Sequence, residues 1–326
     1  MSIEFSDSEV RFAVESACAA GMIARTIQTS MTVTGVEKQD MSPVTVGDFS
    51  CQAIVSKALH EQFDGAVLLG EEDSGILREQ EDVLECVTQY VGEVIPEATA
   101  VSVCDWIDGG NGEPCERFWT LDPIDGTKGY LRGEQYAVAL ALIESGEVSL
   151  GVLVCPNLGV DCSLDHPEKG VVVLAQRGCG CWCAPMDAPT DFRVLSVSEE
   201  SELRKARLLR SVEAAHTNTS RMDDLVEVMG IAAEPVCLDS QAKYAVLAAG
   251  GGELLLRLLS ASKPDYREMI WDQAAGSIVL EEAGGRITDL AGRRLDFGQG
   301  RTLAENEGVC ASNGLVHDAA LEVLAK

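Results

Sequence analysis

The order of predicted elements changes near Ala188-Pro189-Thr190, and this change limits the fold more than any other feature of the chain. Before it, apolar runs at 136–143 and 148–155 are separated only by Glu144-Ser145-Gly146-Glu147, a hairpin signal. Val171 to Ala175 is another strand, Ala66 to Gly70 a buried strand ended by glycine, and Phe118 to Leu121 a short strand ended by Asp122-Pro123. Helical spacing is present over 8–29, with Val10, Phe12, Ala13, Ala17, Ala20 and Ile23 on one face. It returns from Asp48 to Phe63 and from Glu79 to Val91, while Asp105 to Gly112 reads as a turn-rich loop. After the change, strands at 192–197, 207–212, 235–238 and 253–258 interleave with helices near 199–205, 219–229 and 240–249. A helix from Trp271-Asp272 to Gly284-Gly285, a strand at 309–312 and a terminal helix complete the pattern. Mixed α+β sequence followed by strand–helix alternation predicts two units, 1–190 and 191–326, with an α/β second domain. At about 150 residues per domain, 326 residues suit that count.

Charge narrows the partners. Lys plus Arg number 25 and Asp plus Glu 53, a net −28. Nucleic-acid polymers and anionic membranes need clustered Lys and Arg, so neither is an expected partner. A small anionic substrate needs cations in its site. The first nine residues lack a basic segment and an apolar core, and no apolar run approaches the roughly 20 residues of a membrane span. A cytoplasmic protein is expected, with its twelve cysteines reduced. Cys18, Cys155, Cys237 and Cys310 read as small core residues. Cys179-Gly-Cys181-Trp-Cys183 is the one dense cluster, but its spacing is too short for a zinc site and no histidine is near. It reads as structural; metal binding or thiol control is the alternative.

Four segments place acids where a strand ends or a helix begins: Thr45 to Asp48, Gly70 to Asp73, Asp122 to Thr127, and Trp271-Asp272. Each taken singly has a plain structural reading. Glu71-Glu72-Asp73 suits a solvated turn, Asp48 and Asp272 suit helix starts, and Asp122-Pro-Ile-Asp125-Gly suits a type I turn. Together they point to chemistry. Pro123 fixes φ and pushes Asp122 from the helical region, so that both carboxylates can face one point. Gly126 lets backbone approach a ligand, and a helix opening at Gly126–Gly129 would favour a phosphate. Carboxylates without basic partners suit hard ions such as Mg²⁺. The four charges of Glu71, Asp122, Asp125 and Asp272 would be neutralised by two such ions, and paired metals can clamp both oxygens of a phosphoryl transfer.

These residues resemble a known family. Leu121-Asp-Pro-Ile-Asp-Gly-Thr127, Trp271-Asp-Gln-Ala-Ala-Gly276 and Gly70-Glu71-Glu72 are similar to the signatures of the inositol monophosphatase superfamily of metal-dependent, lithium-sensitive phosphatases. The resemblance runs from about Phe12 to the end. Asp122 to Gly133 (with Thr-Lys-Gly-Tyr-Leu-Arg), Pro43 to Phe49, Ser211 to His216 and Asp239 to Tyr244 resemble the 3′(2′),5′-bisphosphate nucleotidase branch. Tyr130, where Phe is common, and Thr217-Asn218 depart from that pattern.

The resemblance implies a layered αβαβα sandwich and removal of the 3′-phosphate of adenosine 3′,5′-bisphosphate, giving AMP. It extends to the 5′-phosphosulfate analogue. Two or three Mg²⁺ would be held by Glu71, Asp122, Asp125, Asp272 and the Ile124 carbonyl. Asp48 and Thr127 would prepare the attacking water, and the Gly126 and Thr127 N–H groups would hold the phosphate. His216, Ser240, Lys243 and Arg257 would contact the nucleotide, with Ser240 and Lys243 on one helix face and Arg257 ending a strand. A small nucleotide is then the expected partner, with no obligatory protein partner and a monomer favoured. An inositol phosphate phosphatase of the same superfamily is the nearest alternative; a non-catalytic binding regulator is the other.

Overall fold

The computed structural model describes residues 7–30, 36–37, 43–164, 170–212, 219–259 and 265–325. The chain opens with helix α1 (Ser8–Ser30), a small antiparallel pair β1 (Val36–Glu37) and β2 (Pro43–Val44), and helix α2 (Val46–Gln62). Strand β3 (Leu68–Gly70) and helices α3 (Gly75–Glu79), α4 (Glu81–Val94) and α5 (Ala100–Asp108) follow. Next come β4 (Arg117–Asp125), α6 (Thr127–Leu131), β5 (Ala137–Glu144), β6 (Glu147–Cys155), β7 (Val171–Gln176), β8 (Gly180–Pro185) and β9 (Arg193–Val194). The remainder holds β10 (Leu208–Arg210), α7 (Thr219–Met229), β11 (Val236–Cys237), α8 (Ala242–Ala248), β12 (Leu254–Arg257), α9 (Ala274–Glu282), β13 (Arg286–Thr288), β14 (Val309–Ser312) and α10 (His317–Leu324).

Strands β3 to β9 form a seven-stranded sheet in sequence order, antiparallel except for β3 with β4. Strands β10 to β14 form a five-stranded mixed sheet in the order β11-β10-β12-β14-β13. The period-two alternation of strands divides the core into layers. Trp119, Leu121, Val138, Leu140, Val152 and Val154 face α1, α2, α4 and α5. Their neighbours Phe118, Ala139, Ala141, Leu153 and Cys155 face α8 and α9, which also receive Leu209, Leu255 and Val309 of the second sheet. Leu208, Leu254 and Leu256 turn outward to α7 and α10. The result is the αβαβα sandwich. Sheets covered on both faces explain why β5 and β6 are apolar nearly throughout. At about 1.5–3 kcal/mol per large buried side chain, these layers are the main stabilising force.

Local chemistry fixes several joins. Ser145 (φ 52°) and Gly146 (φ 79°) are both left-handed, as the two-residue hairpin between β5 and β6 requires. Gly151 lets α9 lie against β6, since a Cβ there would come within 2.4 Å of Ile278. Several expectations are revised. Residues 105–108 are helical, the end of an α5 that begins at a capping box of Thr99 with Ser102. The turn-like composition belongs only to Gly109–Gly112, which ends that helix. The strand expected at 192–197 is shortened to β9, which pairs with β8 of the first sheet. The helix expected near 199–205 is a single 3₁₀ turn at Leu203–Lys205. The helix expected from Trp271 begins at Ala274, with Gln273 as its cap. Cys237 is exposed rather than core. All twelve cysteines are free. Among the described residues no helix is long and apolar enough to cross a membrane.

Candidate active site

The site is organised by an irregularity in β4. Its pairing with β5 is regular down to Asp122 opposite Ala139 and resumes at Asp125 opposite Ala137. Three steps on β4 therefore face two on β5, a bulge of one residue. In a regular strand an offset of three sends two side chains to opposite faces. The extra residue restores parity and lets Asp122 and Asp125 share a side. Pro123, which has no N–H to give a ladder, sits inside the bulge. The segment read as a possible turn is thus the end of a strand. Gly126 then takes φ +90° as the cap of α6, and a Cβ there would lie 2.8 Å from that of Ser240.

Asp122 is the electrostatic centre. It is 2 % exposed, and its Oδ1 has no hydrogen-bond partner. Burial first, then the charges of Glu71, Asp125, Asp272 and Asp48, push its pKa well above the usual carboxylate value. Glu71 directly follows β3, Asp125 ends β4, and Asp272 sits in the turn before α9. Burial raises Asp125 and Asp272 as well; Lys243 opposes it most at Asp125 and Arg257 at Asp272. Asp48 is not the first cap of its helix but the partner of Thr45 in a capping box. It is the third residue of α2, whose cap is Thr45, and its Oδ2 accepts from the Thr45 N–H (2.8 Å) and hydroxyl (2.6 Å). The Thr127 hydroxyl donates to the Ile124 carbonyl at 3.2 Å, so these two groups face each other.

The cations lie on the other side. Lys243 of α8 is 8 % exposed, and its Nζ donates to Ser211 Oγ (3.2 Å) and the Leu238 carbonyl (3.4 Å). Burial lowers its pKa to about 8, against the pull of Asp125. Arg257 does end a strand, as expected. Its Nε donates to Glu268 at 2.7 Å and its Nη2 lies 3.9 Å from Asp272. Burial works against its charge, but Glu268 and Asp272 outweigh burial and raise its pKa. Ser240 precedes α8 and is left-handed (φ 70°), so it does not share a helix face with Lys243; the Lys243 N–H donates to its carbonyl instead. His216 lies outside the described residues.

Among the described residues no three His, Cys, Asp or Glu side chains stand as a ready-made metal cage. Oxygens of Asp48 and Asp125 are bonded to protein donors, and Asp272 leans toward Arg257. The unpartnered Asp122 Oδ1 within this acidic field is nevertheless what a hard cation requires, and the all-oxygen donor set suits Mg²⁺. The cysteine cluster is unrelated to the site: Cys179 is exposed in a turn, while Cys181 and Cys183 are buried on β8. The Arg193 Nε donates to Cys183 Sγ at 3.1 Å.

Sequence reasoning overlooked the side chains that hold the acids in place. Gln52 of α2 clamps the segment after β3, donating to the Glu72 carbonyl (2.5 Å) and the Ile107 carbonyl (2.9 Å) and accepting from the Glu72 N–H (3.0 Å). The Gln241 N–H donates to Asp125 Oδ2 at 2.5 Å. Gln273 joins Tyr244 (2.5 Å) to Glu268 (3.3 Å). Arg301 lies over the Trp271 ring, 5.2 Å from its centroid. Gln241 and Gln273 did carry a signal, as parts of Asp239-Ser-Gln-Ala-Lys-Tyr244 and Trp271-Asp-Gln-Ala-Ala-Gly276.

Comparison with known proteins agrees with this geometry. The profile described as the inositol monophosphatase family matches residues 6–326. A 3′(2′),5′-bisphosphate nucleotidase of Schizosaccharomyces pombe is 40% identical over 304 residues, covering 88% of this chain and 85% of the relative. Another from Oryza sativa is 38% identical, covering 94% and 90%. Among solved structures, the Thermotoga maritima IMPase superposes with a TM-score of 0.67 at 21% identity, covering 98% and 97%. CysQ from Bacteroides thetaiotaomicron superposes with a TM-score of 0.62 at 18% identity, covering 95% and 98%.

Proposed function

Since this chain belongs to the inositol monophosphatase family, we propose that it removes the 3′-phosphate of adenosine 3′,5′-bisphosphate, with Mg²⁺, to give AMP and phosphate. The observation that carries the reading is the unpartnered, buried Asp122 oxygen ringed by acids, with Lys243 and Arg257 directly beyond them. One pole suits metal and the other a phosphate. The curated relatives carry the nucleotidase name, which favours a nucleotide over an inositol phosphate.

Two or three Mg²⁺ held by Glu71, Asp122, Asp125, Asp272 and the Ile124 carbonyl would neutralise the acids and the phosphate and acidify water at the site. In this reading Thr127 and Asp48 hold the attacking water, and its proton passes to the Asp48 carboxylate, which Thr45 keeps in orientation. The N–H groups of Gly126 and Thr127 face the scissile phosphate. Ser240, packed against Gly126, His216, Lys243 and Arg257 contact the nucleotide and its second phosphate. The acids belong mainly to the unit 1–190 and the nucleotide contacts to 191–326. The reading extends to the 5′-phosphosulfate analogue, to lithium inhibition and to a cytoplasmic monomer.

The test is phosphate release from adenosine 3′,5′-bisphosphate, the phosphosulfate and inositol 1-phosphate, with Mg²⁺, with chelator, and with added lithium. Release from the two nucleotides, loss with chelator and inhibition by lithium are expected. Faster turnover of inositol 1-phosphate than of either nucleotide would replace the substrate reading, and full activity in chelator would end the metal reading.

A further inference from the structure

We infer that Gln241 and Arg301, neither of them a ligand in the reading above, are positioning residues that set where Asp272 stands relative to Asp125 and Glu71. The inference rests on that metal reading. The acids come from segments far apart in the chain, and like charges brought together repel. Asp272 lies outside any strand or helix. It lies in a turn whose own backbone bonds run from the Asp272 N–H to the Met269 carbonyl (3.2 Å) and from the Gln273 and Ala274 N–H groups to the Ile270 carbonyl (3.2 and 2.9 Å).

Gln241 ties this turn to Asp125. It is 2 % exposed, and its backbone N–H holds Asp125 Oδ2 at 2.5 Å. Its side-chain Nε2 donates to the Trp271 carbonyl at 2.9 Å, and its Oε1 accepts from the Gly276 N–H at 3.0 Å. Gly276 lies in the first turn of α9, where N–H groups lack helical partners. A single residue thus links Asp125 to the peptide that carries Asp272.

Arg301 ties the same turn to Glu71. Its carbonyl accepts from the Ile270 N–H at 3.1 Å, and its guanidinium lies over the Trp271 ring. The fork also donates to the carbonyls of Gly70 (3.2 Å) and Gly112 (3.5 Å), and Gly70 is the residue before Glu71. Trp271 is therefore held at its carbonyl by Gln241 and at its ring by Arg301. A planar fork can make both carbonyl contacts and the stack at once; lysine cannot.

The test uses Mg²⁺ itself, titrated calorimetrically into the full-length protein without substrate. Gln241→Met keeps side-chain length and the backbone bond to Asp125 but removes both amide bonds. Arg301→Lys keeps the charge and loses the fork. Each is expected to weaken Mg²⁺ binding by about 10–100-fold, as loss of a residue that orients a metal ligand does, and to recover most of kcat at saturating Mg²⁺. A merely structural role would lower the melting temperature and leave Mg²⁺ affinity alone. Arg301 is partly exposed, so Arg301→Lys decides the matter if Gln241→Met does not fold. Asp272→Asn is the control. If it weakens Mg²⁺ binding while the folded positioning variants bind within about twofold of wild type, this inference falls alone. If Asp272→Asn also leaves Mg²⁺ binding unchanged, the metal reading falls and takes the inference with it.

Discussion

The seven-stranded sheet and the five-stranded sheet make unlike contributions to one site. The first, with the start of α2, brings Asp48, Glu71, Asp122 and Asp125 to its edge. The second brings Arg257, and near it Lys243 and the one outlying acid, Asp272. The difference is one of electrostatics. An acidic pole with an unpartnered oxygen favours cations, and a buried cationic pole favours anions. It also explains how a chain with a net charge of −28 can present a site to a polyanion. Where the two sheets meet, charges of both signs stand side by side, largely shielded from water.

The division predicts that the poles fail differently. Asp122→Ala should cut kcat more than roughly a hundredfold, beyond the effect of losing a residue that only orients a ligand, with the fold retained in a thermal melt. Near-full Mg²⁺-dependent turnover would break the comparison. Arg257→Lys keeps the charge but loses the fork, so KM for the bisphosphate should rise roughly tenfold, about 1.4 kcal/mol, with kcat nearly kept. A loss in kcat with unchanged KM would assign Arg257 to the acidic pole instead.

The second sheet also carries a group whose titration should alter stability. His317 is fully buried between the hydroxyls of Thr288 (3.0 Å) and Ser312 (2.9 Å), and burial lowers its pKa to about 4. The unfolded chain therefore binds a proton, below pH about 6.5, that the folded one refuses. Stability from this residue is full above that value and lost as pH falls toward 4. Urea unfolding of wild type and His317→Gln at pH 7 and 5 should show the wild type losing about 2 kcal/mol more. Equal losses would refute it. The smallest effect concerns the seam between layers. Gly151→Ala pushes a methyl into Ile278, so it should cost about 1–2 kcal/mol in the same assay while KM stays unchanged.

The legibility of the two halves also differs. In the first, hydrophobic runs and the Glu-Ser-Gly-Glu hairpin made β5 and β6 readable, because the pattern and the turn are local. The one helix read as a loop, α5, ends in Gly109-Gly110 and Gly112, and those glycines obscured the Thr99–Ser102 start. In the second half the positions of β10, β11, β12 and β14 were readable, but β13 and the pairing of the strands were not. Gln52 and Arg301 were invisible as site residues, and the roles of Gln241 and Gln273 within their motifs were not readable, because an amide or a lone arginine has no chemistry of its own to announce. Its role depends on which carbonyl meets it, and for Arg301 that is Gly70, 231 positions earlier.

The sequence by itself determined which atoms could do the chemistry: acids at strand and helix ends, a proline that disrupts a ladder, a glycine where backbone must come close. Those are properties of residue type and short spacing. Tertiary structure alone decided that Asp122 is the centre of the field, that a one-residue bulge turns it to the same side as Asp125, and that Asp272 hangs from Gln241 and Arg301. Burial, register and long-range hydrogen bonds arise only when two sheets pack, since the charge on an oxygen is a matter of sequence but the field around it is a matter of distance.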